Sequence, residues 1–272
     1  MEQALVPRSA VRSPLPVKPQ YERPAPKRRR ANDVGLHLVP TEAADLRPEP
    51  ATVDAYVPAR RSEIMTRAAN LTIASAALIV TAPVMLLVAT LIKLTSTGPV
   101  VYTQTRVGVD RRWGRKGTDG RRVKDHGGKP FEMYKFRSMR VDAESDGRAV
   151  WAKKHDPRVT PIGAFLRKSR LDELPQLLNV IRGDMNIVGP RPERPSIFAE
   201  LRENIPEYPI RQRVKPGITG WAQINQAYDT CIDDVRSKVR YDLEYLQRQS
   251  LGMDLRIMSL TIPVMLLRRG GQ

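Results

Sequence analysis

The sequence predicts a mainly helical α/β membrane protein of monotopic type, with a re-entrant helix-break-helix hairpin ahead of a compact domain of short β-strands and interfacial amphipathic helices. Three observations predict it. Leu71 to Ile92 is a run of 22 residues without a charge, with Pro83 near its middle. Such a run is long enough to enter or cross a hydrocarbon core. Residues 96–272 mix helically spaced apolar positions with short β-branched runs. Finally, 46 Lys and Arg oppose 29 Asp and Glu, a net charge of +17. A surface this basic faces anions, whether nucleic acid, anionic lipid or phosphorylated substrate.

Residues 1–58 hold ten of the 23 prolines and only scattered apolar positions. They cannot build a core and are expected to form a disordered basic tail. The tail's "KRRR" cluster (Lys27 to Arg30) reads as a solvated segment near an anionic membrane, with nucleic acid as the alternative. No secretory signal is visible in the first twenty residues. The single Cys231 excludes an intrachain disulfide and fits a reducing compartment.

Residues 59–95 form a lead-in and the hairpin. Basic residues flank both of its ends (Arg60, Arg61 and Arg67; Lys93, Arg106 and Arg111), so no charge asymmetry chooses a direction of crossing. Pro83 removes a backbone donor and favours a break that returns the chain to the same face. An ordinary kinked span is the alternative. Next, "VVYTQ" and Phe131 to Met139 read as strands on either side of a basic surface loop.

Ile162, Phe165 and Leu166 mark one helix; Leu174, Leu177, Leu178 and Ile181 mark a second, with Gly183 as its stop. A proline-rich loop, "VGPRPERP", leads to a helix at Ser196 to Asn204. "VKPGITGWAQIN" reads as a loop with one short strand. Val235, Val239, Leu243 and Leu246 stripe a charged helix. The last stretch, "MDLRIMSLTIPVMLLRRGGQ", suits an interfacial helix or a C-terminal core helix.

Chemistry centres on Asp172 and Glu173 in "RLDELPQLLN". Proline is at home in the first turn of a helix, so Pro175 places the acids at a helix start. In isolation the pair would read as capping charge. Arg167, Lys168, Arg170 and Arg191 surround it in the sequence, and cations around a carboxylate hold it ionised and also bind phosphate oxygens. That setting points to phosphoryl transfer, in which one carboxylate attacks phosphorus and another holds a divalent cation. The histidines, His37, His126 and His155, show no metal-ligand spacing.

"YKFRSM", "LDELPQLLNVIRGDMNIVGPRPE" and "KPGITGWAQIN", in this order behind a hydrophobic hairpin, closely resemble the bacterial sugar transferases known as polyprenyl-phosphate glycosylphosphotransferases, or monotopic phosphoglycosyl transferases. The resemblance runs from about Ser62 to Arg269 and leaves out residues 1–58 and most of the basic loop 110–129. It implies that 96–272 is a catalytic domain at the cytoplasmic face of the bacterial inner membrane. A UDP-hexose would give its sugar-1-phosphate to an enzyme carboxylate with loss of UMP. Undecaprenyl phosphate would then take it, which starts exopolysaccharide, capsule or O-antigen assembly.

By the same resemblance Asp172 is the nucleophile, Glu173 binds Mg²⁺, and Arg167, Arg191, Lys135, Arg137, Lys215 and Gln223 contact phosphate or substrate. Pro83 matches the hairpin break. Asn225 is followed by Gln226 where small relatives carry Gly-Arg, so Arg236 or Arg240 is expected to replace the missing cation. "NQAY" with "KVRYDLEYL" looks like the exopolysaccharide-priming branch and favours glucose or galactose as the sugar. Trp221 either shapes the nucleotide site or packs, while Trp113 and Trp151 suit the membrane interface. No nucleic acid is expected as a partner, since no helix presents a basic recognition pattern, and homo-oligomers are allowed. The opposing readings are a membrane-tethered nucleic-acid binder, which would show salt-dependent binding, and a non-catalytic scaffold.

Overall fold

The computed structural model describes residues 56–110, 127–143, 156–226 and 231–266. The tail before Tyr56, most of the basic loop, Trp113, Trp151, the three histidines and the terminal Arg268 and Arg269 lie outside the described residues.

A single helix, α1 (Glu63–Thr95), occupies the predicted hairpin. Ser62 starts it by accepting the Met65 N–H at its Oγ. At 33 residues it is about 50 Å long, and by length and composition it is able to cross a membrane. The expected break is not an interruption of the helix, which runs on through Pro83. Proline there costs one backbone hydrogen bond, too little to unwind a helix that the domain holds along both halves. Ala74 packs against Phe131, Leu177 and Val180, and Val88 and Ile92 pack against Phe136 and Leu166. The opposite face shows water Ile79, Val80 and Leu86, each at least 70% exposed.

Two small sheets follow. Strand β1 (Val101–Val107) pairs antiparallel with β2 (Pro130–Phe136), Val101 opposite Phe136. Strand β3 (Asn186–Val188) pairs parallel with β4 (Gly217–Thr219). The first pair was legible from its β-branched runs, although β2 stops three residues short of Met139; β3 runs from residues given no element into the start of the expected loop, being too short for any periodicity to register.

The helices are α2 (Pro161–Ser169), α3 (Gln176–Arg182), α4 (Pro195–Asn204), α5 (Trp221–Asn225), α6 (Ile232–Arg248) and α7 (Leu251–Leu266). Gly183 ends α3 in the left-handed conformation, φ 89°, as its position predicts. The α6 stripe of Val235, Val239, Leu243 and Leu246 is buried against Phe198 and Leu201 of α4. Helix α7 packs on the core along one side, as one of its two expected roles requires, and leaves apolar residues exposed on the other. Ile257 is fully buried beside Trp221 and Tyr245, whereas Leu255 and Ile262 are about 60% exposed.

Candidate functional site

The acids sit where α2 turns into α3. Arg170 adopts a left-handed conformation, φ 60°, and among the described residues no other non-glycine residue has a positive φ. That costs about 1 kcal/mol and reverses the chain into a one-turn 3-10 helix, Leu171–Glu173. Here the structure corrects the expectation that the pair opens α3. Pro175 lacks an N–H and so ends the 3-10 turn, and α3 begins only at Gln176. The turn's own donors are used locally, Glu173 N–H to Arg170 O at 3.1 Å and Leu174 N–H to Leu171 O at 3.3 Å.

Both acids are buried, Asp172 at 7% and Glu173 at 9% exposure. Their surroundings differ. Glu173 Oε1 accepts from Arg191 Nη2 at 2.6 Å and from Lys135 Nζ at 3.2 Å, and Arg170 Nη1 lies 3.7 Å away. Arg191 Nη1 reaches Oε2 at 3.4 Å. Burial pulls the Glu173 carboxyl up, but Arg191, Lys135 and Arg170 outweigh it and hold the group well below the usual carboxylate range. Asp172 Oδ1 is buried without a hydrogen-bond partner. Burial pushes its carboxyl up, Lys135 opposes this, and the adjacent Glu173 adds to it. An orphaned, desolvated carboxylate oxygen is a better nucleophile than one tied up in hydrogen bonds.

Lys135 arrives from β2. It is positioned by Asn179 of α3, which is fully buried and acts as a short strand partner. Its Nδ2 donates to Glu132 O at 2.7 Å and its Oδ1 accepts the Tyr134 N–H at 3.0 Å. The helix after the dyad is thereby stitched to the strand that delivers its lysine. Helix α1 holds α3 and β3. Arg67 donates to the C-terminal carbonyls of α3 at Val180 and Ile181, and Asn70 Oδ1 accepts the Ile187 N–H at 2.6 Å.

Of the residues expected at phosphate, the structure brings Lys135 and Arg191 to the dyad. Arg137 is not there. Strand β2 ends at Phe136, the side-chain alternation ends with it, and Arg137 Nη2 donates to Ser96 O at 2.9 Å and Ser96 Oγ at 2.6 Å at the end of α1. Arg167 is on the last turn of α2. Its charge is a minor one among those acting on Asp156, whose carboxyl the bonds from Arg158 lower to about 2. Lys215 precedes β4, and its carbonyl lies against Gly189. Gln223 Nε2 donates to Ile218 O at 3.1 Å while its Oε1 is buried without a partner.

Trp221 is a packing residue. It is 6% exposed and its Nε1 donates to Glu244 Oε2 at 2.9 Å, so its ring is not free to stack on a base. Arg236 pairs with Asp233 at 3.5 Å on the exposed side of α6, and Arg240 is exposed too; neither contacts the dyad. Arg170, Arg191 and Lys135 supply the positive charge there instead. Sequence reasoning missed Asn179 and also Gln176, whose Nε2 is buried and unpartnered just past the dyad. The one available signal was a pair of amides on an otherwise apolar helix face.

Whether the dyad suits Mg²⁺ rests on its donors. Among the described residues no three His, Cys, Asp or Glu side chains converge as a metal cage. Mg²⁺ does not require one, because it binds through one or two carboxylates and completes its shell with substrate phosphates and water. The weakly held Glu173 Oε2 fits that pattern.

The family model for bacterial sugar transferases matches residues 61–268. A UDP-glucose:undecaprenyl-phosphate glucose-1-phosphate transferase of Escherichia coli strain K12 is 40% identical over 203 residues, 74% of this chain and 40% of that protein. A UDP-N-acetylgalactosamine-undecaprenyl-phosphate N-acetylgalactosaminephosphotransferase of Aeromonas hydrophila is 42% identical over 184 residues, 68% of this chain and 39% of that protein. The exopolysaccharide production protein PSS of Rhizobium leguminosarum is 38% identical over 213 residues, 76% of this chain and 98% of that protein. The chain thus spans about two fifths of the first two relatives and nearly all of the third.

Proposed function

Since the chain belongs to the bacterial sugar transferase family, we propose that it moves a sugar-1-phosphate from a UDP-sugar to undecaprenyl phosphate in two displacements. The observation that carries the reading is the asymmetry of the dyad, in which a cation-locked Glu173 adjoins an Asp172 with an orphaned oxygen. An ionised Asp172 oxygen attacks the sugar-bearing phosphorus, and the bond from that phosphorus to the bridging oxygen breaks. UMP leaves and an aspartyl-phosphosugar remains. A phosphate oxygen of the lipid then attacks the same phosphorus, forms the diphosphate and frees Asp172.

Lys135, Arg170 and Arg191 surround Glu173, which supports a role for them in taking up phosphate charge, since charge-assisted bonds to phosphate are the strong ones. Glu173, through its weakly held Oε2, would hold Mg²⁺, and the ion would supply neutralisation of the diphosphate charge. The relatives named above act on glucose and on N-acetylgalactosamine at similar identity, so similarity alone does not choose the sugar; the "NQAY" branch features favour glucose or galactose.

The domain rests against both halves of α1, which supports a helix that dips into one leaflet over one that crosses. With the net charge, it supports a site facing the cytoplasm. UMP release is the test, measured with a panel of UDP-sugars, Mg²⁺ and undecaprenyl phosphate. Release with one UDP-hexose that depends on Asp172 is expected; no release with any donor would exclude the transferase reading.

A further inference from the structure

The segment 190–193 carries Arg191 to the dyad without regular secondary structure. Pro190 and Pro192 have no N–H, so this stretch is gripped chiefly through its carbonyls. All four are taken by donors from elsewhere in the fold. Gly217 N–H donates to Pro190 O at 3.0 Å. Arg211 Nη2 donates to Arg191 O at 3.0 Å. Arg106 Nη1 donates to Pro192 O at 3.1 Å, and Val107 N–H to Glu193 O at 2.9 Å.

The two arginines are themselves fixed. Arg211 is fully buried, pairs with Asp242 Oδ2 at 2.7 Å and donates from Nη1 to Tyr208 Oη at 2.7 Å. Burial alone would disfavour its charge, but Asp242, Tyr208 and Glu193 together outweigh it and push the pKa up. Arg106 pairs with Glu193 Oε1 at 3.1 Å and donates from Nη2 to Gln104 Oε1. A buried ion pair is a poor source of stability, and an apolar pair of similar volume often serves as well or better. An apolar pair would not put a donor on the carbonyl of Arg191.

We propose that Arg211, held by Asp242 and Tyr208, and Arg106, held by Glu193, are positioning residues that fix the 190–193 backbone so that the Arg191 fork meets Glu173. Their importance for turnover rests on the transferase reading above; their grip on the backbone does not. The test compares the full-length wild type with the double variant R211M/D242L, which removes both charges together and leaves neither orphaned. Hydrogen exchange is followed in peptides containing Gly217 and Val107, whose amides end on the gripped segment.

The expected result is exchange at least tenfold faster at both amides, with the gain from removing the buried ion pair offsetting in the melting temperature the lost donors to Arg191 O and Tyr208 Oη. UMP release should fall at least tenfold, and the substitutions should have no further effect in an Arg191→Ala background, since residues acting through one another are not additive. Unchanged exchange would overturn the proposal, as would losses that multiply with that of Arg191→Ala. A wild type that releases no UMP refutes the functional reading, and the exchange result still decides the positioning. If the double variant melts early, Arg211→Lys keeps the charge opposite Asp242 but lacks the guanidinium's second nitrogen, so it cannot span Asp242, Tyr208 and Arg191 O as the fork does; it should fold and show the same faster exchange.

Discussion

Asp172 and Glu173 are neighbours in the chain with opposite electrostatic settings, and the difference is testable one residue at a time. Asp172→Asn should lower UMP release at least about 1,000-fold, the scale of losing a nucleophile. The same variant should melt higher than wild type at neutral pH. A carboxyl whose pKa the fold raises is disfavoured when ionised, and the amide removes that cost; the gain should vanish at acid pH, where Asp172 is protonated. A melting temperature that drops at pH 7 would contradict the raised pKa. Attack requires the ionised form, so kcat/KM should fall as pH drops through the elevated value. Lys135 pulls that value down and Glu173 pushes it up. Lys135→Met should therefore move the acid limb to higher pH and Glu173→Gln to lower pH, and pH profiles of the purified variants decide both signs.

The decisive join between elements is α3 on β2. Asn179 satisfies one donor and one acceptor of the strand, so Asn179→Leu leaves both unpaired in a part-buried setting at a cost of about 2 kcal/mol. Its melting temperature should fall and, because Lys135 loses its support, UMP release should fall with it. Asn179→Asp keeps the acceptor for Tyr134 N–H but loses the donor to Glu132 O, so an intermediate melting temperature is expected. Equal melting of all three proteins would show that the stitch carries no weight. Arg67 and Asn70 make α1 part of the same assembly. A helix long and apolar enough to cross a membrane thus also buttresses the elements of the site.

For the molecule as a whole, topology follows from which faces are covered. One side of α1 lies on the domain and the other exposes Ile79, Val80, Leu86 and Leu87, which suits lipid. With the exposed Cys231 changed to Ser, single cysteines at the exposed Ser62 and Thr97, just before and just after the helix, should both label only from the cytoplasmic side. Labelling from opposite sides would establish a crossing. Sequence alone determined the apolar segment, the stop at Gly183 and the α6 stripe, because periodicity and turn chemistry are local properties of the chain; Lys135 beside the acid dyad was expected only through the resemblance of the motifs to a known family. Sequence did not determine the 3-10 turn that holds the dyad, the continuity of α1 through Pro83, the departure of Arg137 to Ser96, or the grip of Arg106 and Arg211 on the backbone around Arg191. Those depend on groups that meet only after folding, across separations such as the 85 residues from Arg106 to Arg191. There, burial and the need to pair every buried donor and acceptor decide which side chain goes where.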